Sequence, residues 1–108
     1  MVIKPEELQA KIESNGQLVI LDVRSRFEYL SGHLPGAIHL PFWKILFRIQ
    51  QVVSDKSTQS VLYCEHGPRA IIARQAMLSR GYQHVSCLKG HMHSWRLAGR
   101  PIERPVKK

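Results

Sequence analysis

Leu18-Val19-Ile20-Leu21 is an unbroken apolar run, the pattern of a strand buried on both faces of a parallel sheet. Such a strand needs partners on its edges and helices over both faces, so it narrows the fold at once. Further short strands are expected over residues 37–40, 61–63 and 84–88. Helical segments lie between them. Residues 5–14 start on Pro5, carry acids at the positive end and set Leu8 and Ile12 on one face, before Asn15-Gly16 stops them. One or two helical turns are expected over 26–30, closed by Ser31-Gly32, and His33-Leu34-Pro35-Gly36 is a turn by composition. Strands alternating with helices predict a small α/β domain with a parallel sheet.

Pro41 opens a helix through residue 53 whose apolar stripe is Phe42, Ile45, Leu46, Ile49, Val52 and Val53. Lys44, Arg48 and Gln51 lie off it, with Trp43 and Phe47 beside it. Basic amphipathic helices of this kind also lie on membrane surfaces, but the stripe is needed to cover the sheet. A helix from residue 70 puts Ile72, Ala73, Ala76 and Met77 on one face and ends at Gly81, and 91–97 is a short helix containing Trp95.

At 108 residues the chain is read as one domain over 1–108, with flexible ends at 1–4 and 104–108. Two cysteines, Cys64 and Cys87, are too few for a disulfide scaffold, and no zinc-ligand spacing occurs among the six histidines. The start has no apolar signal-peptide core, and no uncharged apolar stretch is long enough to span a bilayer. A cytoplasmic location is therefore expected. The net charge of +8 suits small anions or acidic partners. Its basic residues form no long run and no aromatic-interleaved patch that would stack bases, so no nucleic acid is expected as a partner.

Val61-Leu62-Tyr63-Cys64-Glu65-His66-Gly67-Pro68-Arg69-Ala70 joins a strand to a helix through a tight polar loop. The backbone N–H groups of such a joint and the positive end of the helix dipole converge on one centre. A thiolate at Cys64 is favoured there. The same residues also fit a buried strand-end cysteine, which is a common core residue.

Three blocks, in order and together covering nearly the whole chain, resemble the rhodanese-like sulfurtransferases. The first is Asp22-Val23-Arg24, then Glu28-Tyr29, then Gly32-His33-Leu34-Pro35-Gly36-Ala37-Ile38 and Pro41. The second is Cys64 to Arg69, and the third is Val85, Leu88, Lys89, Gly90, Met92 and Trp95. The resemblance implies a small three-layer α/β domain with a mostly parallel five-stranded sheet and helices on both faces. It implies persulfide chemistry without a metal or organic cofactor, moving sulfur from thiosulfate or an organic or protein persulfide to cyanide, a thiol or a protein acceptor. By the same resemblance Cys64 is the nucleophile. Glu65, His66, Gly67, Pro68 and Arg69 form the substrate-binding loop, with Arg69 binding an anionic donor. Asp22 and Arg24 stand near the loop at a strand end, and His33 has a hydrogen-bonded structural role. Phosphatases and arsenate reductases of the family carry five residues between cysteine and arginine, where this chain has four. A sulfur-relay or binding module with little catalysis of its own is the other alternative.

Three residues depart from the family pattern. Glu65 is expected to place a carboxylate beside an anionic site, and Pro68 to remove one N–H from the cradle. His91 replaces a glycine and is expected to crowd the mouth. These departures favour an organic persulfide over thiosulfate as donor. Cys87, mid-strand, is read as a core residue.

Overall fold

The computed structural model describes residues 1–105. Its strands are β1 (Val2–Ile3), β2 (Val19–Asp22), β3 (Ile38–His39), β4 (Ser60–Tyr63) and β5 (Val85–Leu88). They form one sheet in the order β1-β5-β4-β2-β3, and every pairing is parallel. The helices are α1 (Pro5–Glu13), α2 (Arg26–Ser31), α3 (Ile45–Val52), α4 (Pro68–Ser79) and α5 (His91–Leu97), with a 3₁₀ turn at Phe42–Lys44 leading into α3.

The period-two alternation of a strand sorts the core into two layers. Leu21, Leu62 and Cys87 lie in one row across the sheet and pack with Ile45 and Ile49 of α3 and Ala70, Ala73 and Met77 of α4. Ile20, Val61, Tyr63 and Leu88 face the other way, onto Leu8 of α1 and Met92 and Trp95 of α5. Trp95 is fully buried and its indole N–H donates to the Pro101 carbonyl at 2.7 Å.

Several boundaries differ from the sequence reading. Residues 1–4 are not a free end: Val2 and Ile3 pair with Cys87 and Leu88, and the Cys87 amide donates to Met1 O. Two residues at a sheet edge carry no periodic signal, so nothing local announces this strand. At the other end Glu103 pairs with His33 and Arg104 Nε donates to Ser31 O, while 106–108 of the expected flexible end lie outside the described residues. Within α4, which begins at Pro68, Ile72 is exposed and Ala70 joins Ala73 and Met77 on the core face. Gly81 does follow the helix as expected, at φ +90°, with its amide on Leu78 O.

Candidate active site

β4 ends at Tyr63 and α4 begins at Pro68, so four residues, Cys64 to Gly67, make the whole turn at the carboxyl edge of the sheet. Cys64 is buried, and its Sγ accepts the Gly67 N–H at 2.9 Å. Gly67 reaches that position at φ +134°, and a Cβ there would stand 3.2 Å from the His91 ring. Both facts demand glycine. Pro68 occupies the first turn of α4, where an N–H would have no helical acceptor, so it opens the helix instead of merely withholding a donor.

His91 folds over the loop. Its Nδ1 accepts the Cys64 N–H at 3.3 Å, which puts the ring proton on Nε2, and its backbone sits in the left-handed region at φ +54°. Adjacent amides complete the clasp: Met92 N–H donates to Cys64 O and His93 N–H to Glu65 O. The ring that was expected to crowd the mouth is a structural partner of the Cys64 backbone. Burial, and secondarily the charge of His66, hold the His91 pKa below its ordinary value. Stability from neutral His91 is therefore complete above pH ~6.5 and is lost as pH falls from there through the lower native value. Thermal melts of wild type and His91→Gln between pH 7.5 and 5 check this. The gap between them should narrow as pH falls, and parallel curves would contradict it.

Around the loop lies a network of ion pairs. Asp22, at the end of β2, accepts Arg24 N, Nε and Nη2 and the Tyr63 hydroxyl. Arg24 is itself 1% exposed and also donates to Gly32 O at 2.7 Å and to Glu65 Oε1 at 3.3 Å. Burial, followed by the Asp22 charge, raises the Tyr63 pKa and keeps that hydroxyl a proton donor. Asp22 and Arg24 thus tie the end of β2 to the loop, as expected, and Tyr63 joins them.

Glu65 is not the isolated negative charge that was expected. Arg96 of α5 grips it with two bonds of 2.7 and 3.1 Å, and Arg24 approaches from the other side. The Arg96 hydrogen bonds hold the Glu65 pKa below the ordinary carboxylate range. Two arginines therefore offset its charge. The His66 and His93 rings lie 4.9 Å apart, tilted at 41°, and with Glu65 they bring ligand atoms within 4.8 Å of one another. The residues come from positions no metal motif would connect, and the Glu65 oxygens are already committed to arginine.

Arg69 also has a partner. Its guanidinium makes bonds of 2.6 and 2.9 Å to Glu28, whose pKa is drawn down to about 2, chiefly by those bonds. Glu28 belongs to a capping box with Ser25 at the start of α2, so one carboxylate caps a helix and restrains the arginine. Glu28→Gln should release Arg69 and lower the thiosulfate KM about fivefold, the effect of relieving about 1 kcal/mol of competing charge. Steady-state kinetics at low salt measure it, and an unchanged KM would remove Arg69 from donor binding.

His33 holds its structural place: Nδ1 lies 2.9 Å from Tyr29 O and the ring stacks on Tyr29 at 3.9 Å. Cys87 is buried with its sulfur near Ala70 O, and burial raises its pKa. It sits in the core row as predicted.

The sequence matches the rhodanese-like domain family over residues 4–98. The chain belongs to that family. A sulfurtransferase of Allochromatium vinosum is 29% identical over 103 residues, covering 95% of this chain and 94% of that protein. The HTH-type transcriptional regulator Rv0324 of Mycobacterium tuberculosis is 35% identical over 92 residues, covering 82% of this chain but only 38% of the regulator. In structure, the thiosulfate sulfurtransferase of Pseudomonas aeruginosa superposes at a TM-score of 0.88 with 30% identity, over 99% of this chain and 21% of that one. The rhodanese-like chain thus spans nearly all of one relative and a minor part of the others. The family is one of sulfur transfer between donors and acceptors. No helix among the described residues is long and apolar enough to cross a membrane.

The site residues read from the sequence come together at one end of the sheet. Three participants were not read as such: Glu28, Tyr63 and Arg96. The Ser25-x-x-Glu28 box was a legible signal for the first. Nothing local pointed to the other two.

Proposed function

We propose that this rhodanese-like domain, taken as one unit over residues 1–108, is a sulfurtransferase in which Cys64 carries a sulfane sulfur as a persulfide. The observation behind this reading is the Gly67 N–H directed at Cys64 Sγ, 2.9 Å away, in a loop with four residues between Cys64 and Arg69. The Cys64 thiolate attacks the outer sulfur of the donor. With thiosulfate the S–S bond breaks and its electron pair leaves on sulfite; with an organic or protein persulfide it leaves on the donor thiolate. A thiophile, whether cyanide, a thiol or a protein acceptor, then attacks the terminal sulfur, and Cys64 departs as thiolate. Charge and electrons balance in each half.

The loop amides stabilise the anionic sulfur, the role that an oxyanion hole plays for oxygen. Residues Glu65 to Arg69 receive the donor, with Arg69 drawn from Glu28 by an arriving anion, while Asp22 and Arg24 fix the loop's position. Pairing of Glu65 with Arg96 and Arg24 supports thiosulfate as a usable donor beside organic persulfides. A reducing, cytoplasmic setting suits two unpaired thiols.

Phosphate or arsenate chemistry fits less well, since the loop is one residue shorter than that reaction uses in the family. A relay module is the second reading, favoured by the match to a minor part of a longer regulator. Thiocyanate formation from thiosulfate and cyanide tests the proposal. Turnover that needs both substrates is expected. Absence of thiocyanate with either thiosulfate or glutathione persulfide as donor would overturn it, and release of phosphate from an aryl phosphate would replace it.

A further inference from the structure

At the carboxyl edge of the sheet, where β3 ends, is a recess that the sulfur chemistry does not use. Arg26, His39, Trp43, Lys44 and Arg48 line it, together with Leu40 and Pro41, around a cavity of about 240 Å³. Three permanent or near-permanent cations and an imidazole converge there, with no carboxylate in the lining. Among the described residues, no carboxylate lies in ion-pair range of Arg26, Lys44 or Arg48, whereas Arg24, Arg69 and Arg96 are all paired. Trp43 is 56% exposed and Phe47, one turn along, is 78% exposed. Exposed aromatics beside unpaired cations mark a surface awaiting a partner.

The recess is joined to the site by one residue. The Arg24 carbonyl accepts His39 Nε2 at 2.8 Å in the recess, while the Arg24 guanidinium bonds Glu65 in the loop. The recess and the Cys64 loop thus share the carboxyl edge of the sheet, at the ends of β3 and β4 with β2 between them.

We propose that this recess docks an acidic segment of the protein whose thiol accepts sulfur from Cys64. The proposal rests on the sulfurtransferase reading and names the partner's chemistry. Carboxylates of the segment pair with Arg26, Lys44 and Arg48, and its apolar side chains cover Trp43 and Phe47. That positions the acceptor thiolate to attack the terminal sulfur of Cys64–S–SH. The acceptor becomes the persulfide, and Cys64 returns to thiolate. Charge complementarity selects the occupant, because three cations and an imidazole line this one recess with no carboxylate among them. A nucleic acid would want a groove that follows a backbone, and here the basic side chains gather around a single recess.

The test compares two thiol acceptors with the Cys64 persulfide: an Asp-Gly repeat peptide ending in cysteine, and its counterpart with serine in place of aspartate. The acidic peptide should react at least about tenfold faster at low salt, and the advantage should fade as salt rises. The combined Arg26→Gln, Lys44→Gln and Arg48→Gln variant should abolish the advantage while sulfur transfer to dithiothreitol, an uncharged acceptor, stays within about twofold. Equal rates for the two peptides, or an advantage that survives the variant, would overturn the docking site while leaving the sulfurtransferase reading intact. Failure to transfer to dithiothreitol in the wild type would strike that reading instead. Tighter, recess-dependent binding of a single-stranded RNA or of anionic vesicles would reassign the surface and overturn the proposal.

Discussion

Replacing Cys64 with serine should reduce thiocyanate formation by roughly a thousandfold or more, the scale on which enzymes lose activity when the covalent nucleophile goes. The Sγ is the only atom held by the Gly67 amide at the turn, and an alcohol in its place neither ionises at neutral pH nor forms a persulfide. Cys87→Ala is the matched control. Its thiol is buried in the core row, and burial keeps it protonated, so it offers no competing nucleophile. That variant should retain activity within a few-fold and lose about 1 kcal/mol of stability from the small cavity. Circular dichroism establishes that both variants are folded. Substantial activity in Cys64→Ser, or its loss in folded Cys87→Ala, would reverse the assignment.

Asp22→Asn should be among the most destabilising single changes at the site. It removes the charge opposite Arg24, which is 1% exposed and takes most of its satisfaction from Asp22. A buried cation left without its partner costs about 3–5 kcal/mol. Glu65 stands 3.3 Å from the same guanidinium and offsets part of that, which points to the lower end. For a domain of this size about 3 kcal/mol lowers Tm by more than about 10 °C. Glu65→Gln should cost no more than about 1 kcal/mol, because its Arg96 partner is half exposed and the pair is screened by solvent. Thermal melts at neutral pH separate the two, and equal shifts would mean that Arg24 is not held mainly by Asp22.

The two substitutions also mark where sequence reading succeeded. Cys64 was legible because the turn that carries it is local: the apolar run before it, the Gly67-Pro68 pair after it and the helix that follows; the His91 and Met92 bonds to its backbone were not. Asp22 and Arg24 were legible only through resemblance to a family signature. Their long-range partners were not, since Asp22–Tyr63 and Arg24–Glu65 each bridge 41 positions and no periodicity records such a contact. Glu65 was misjudged for the same reason. Its charge looks unopposed in the loop, and Arg96 reaches it from a helix 31 positions on. The error over Ile72 has a different origin. Helix α4 is apolar around much of its circumference near the start, so the stripe alone does not choose which residue turns inward.

The measurement closest to the central claim is the intact mass of the protein after incubation with thiosulfate and, separately, with glutathione persulfide. Wild type and Cys87→Ala should each gain one sulfur atom, lose it on addition of cyanide, and return thiocyanate in equal amount. Cys64→Ser should gain none. A protein that takes up no sulfur from either donor, or a Cys64→Ser variant that still does, would contradict the account.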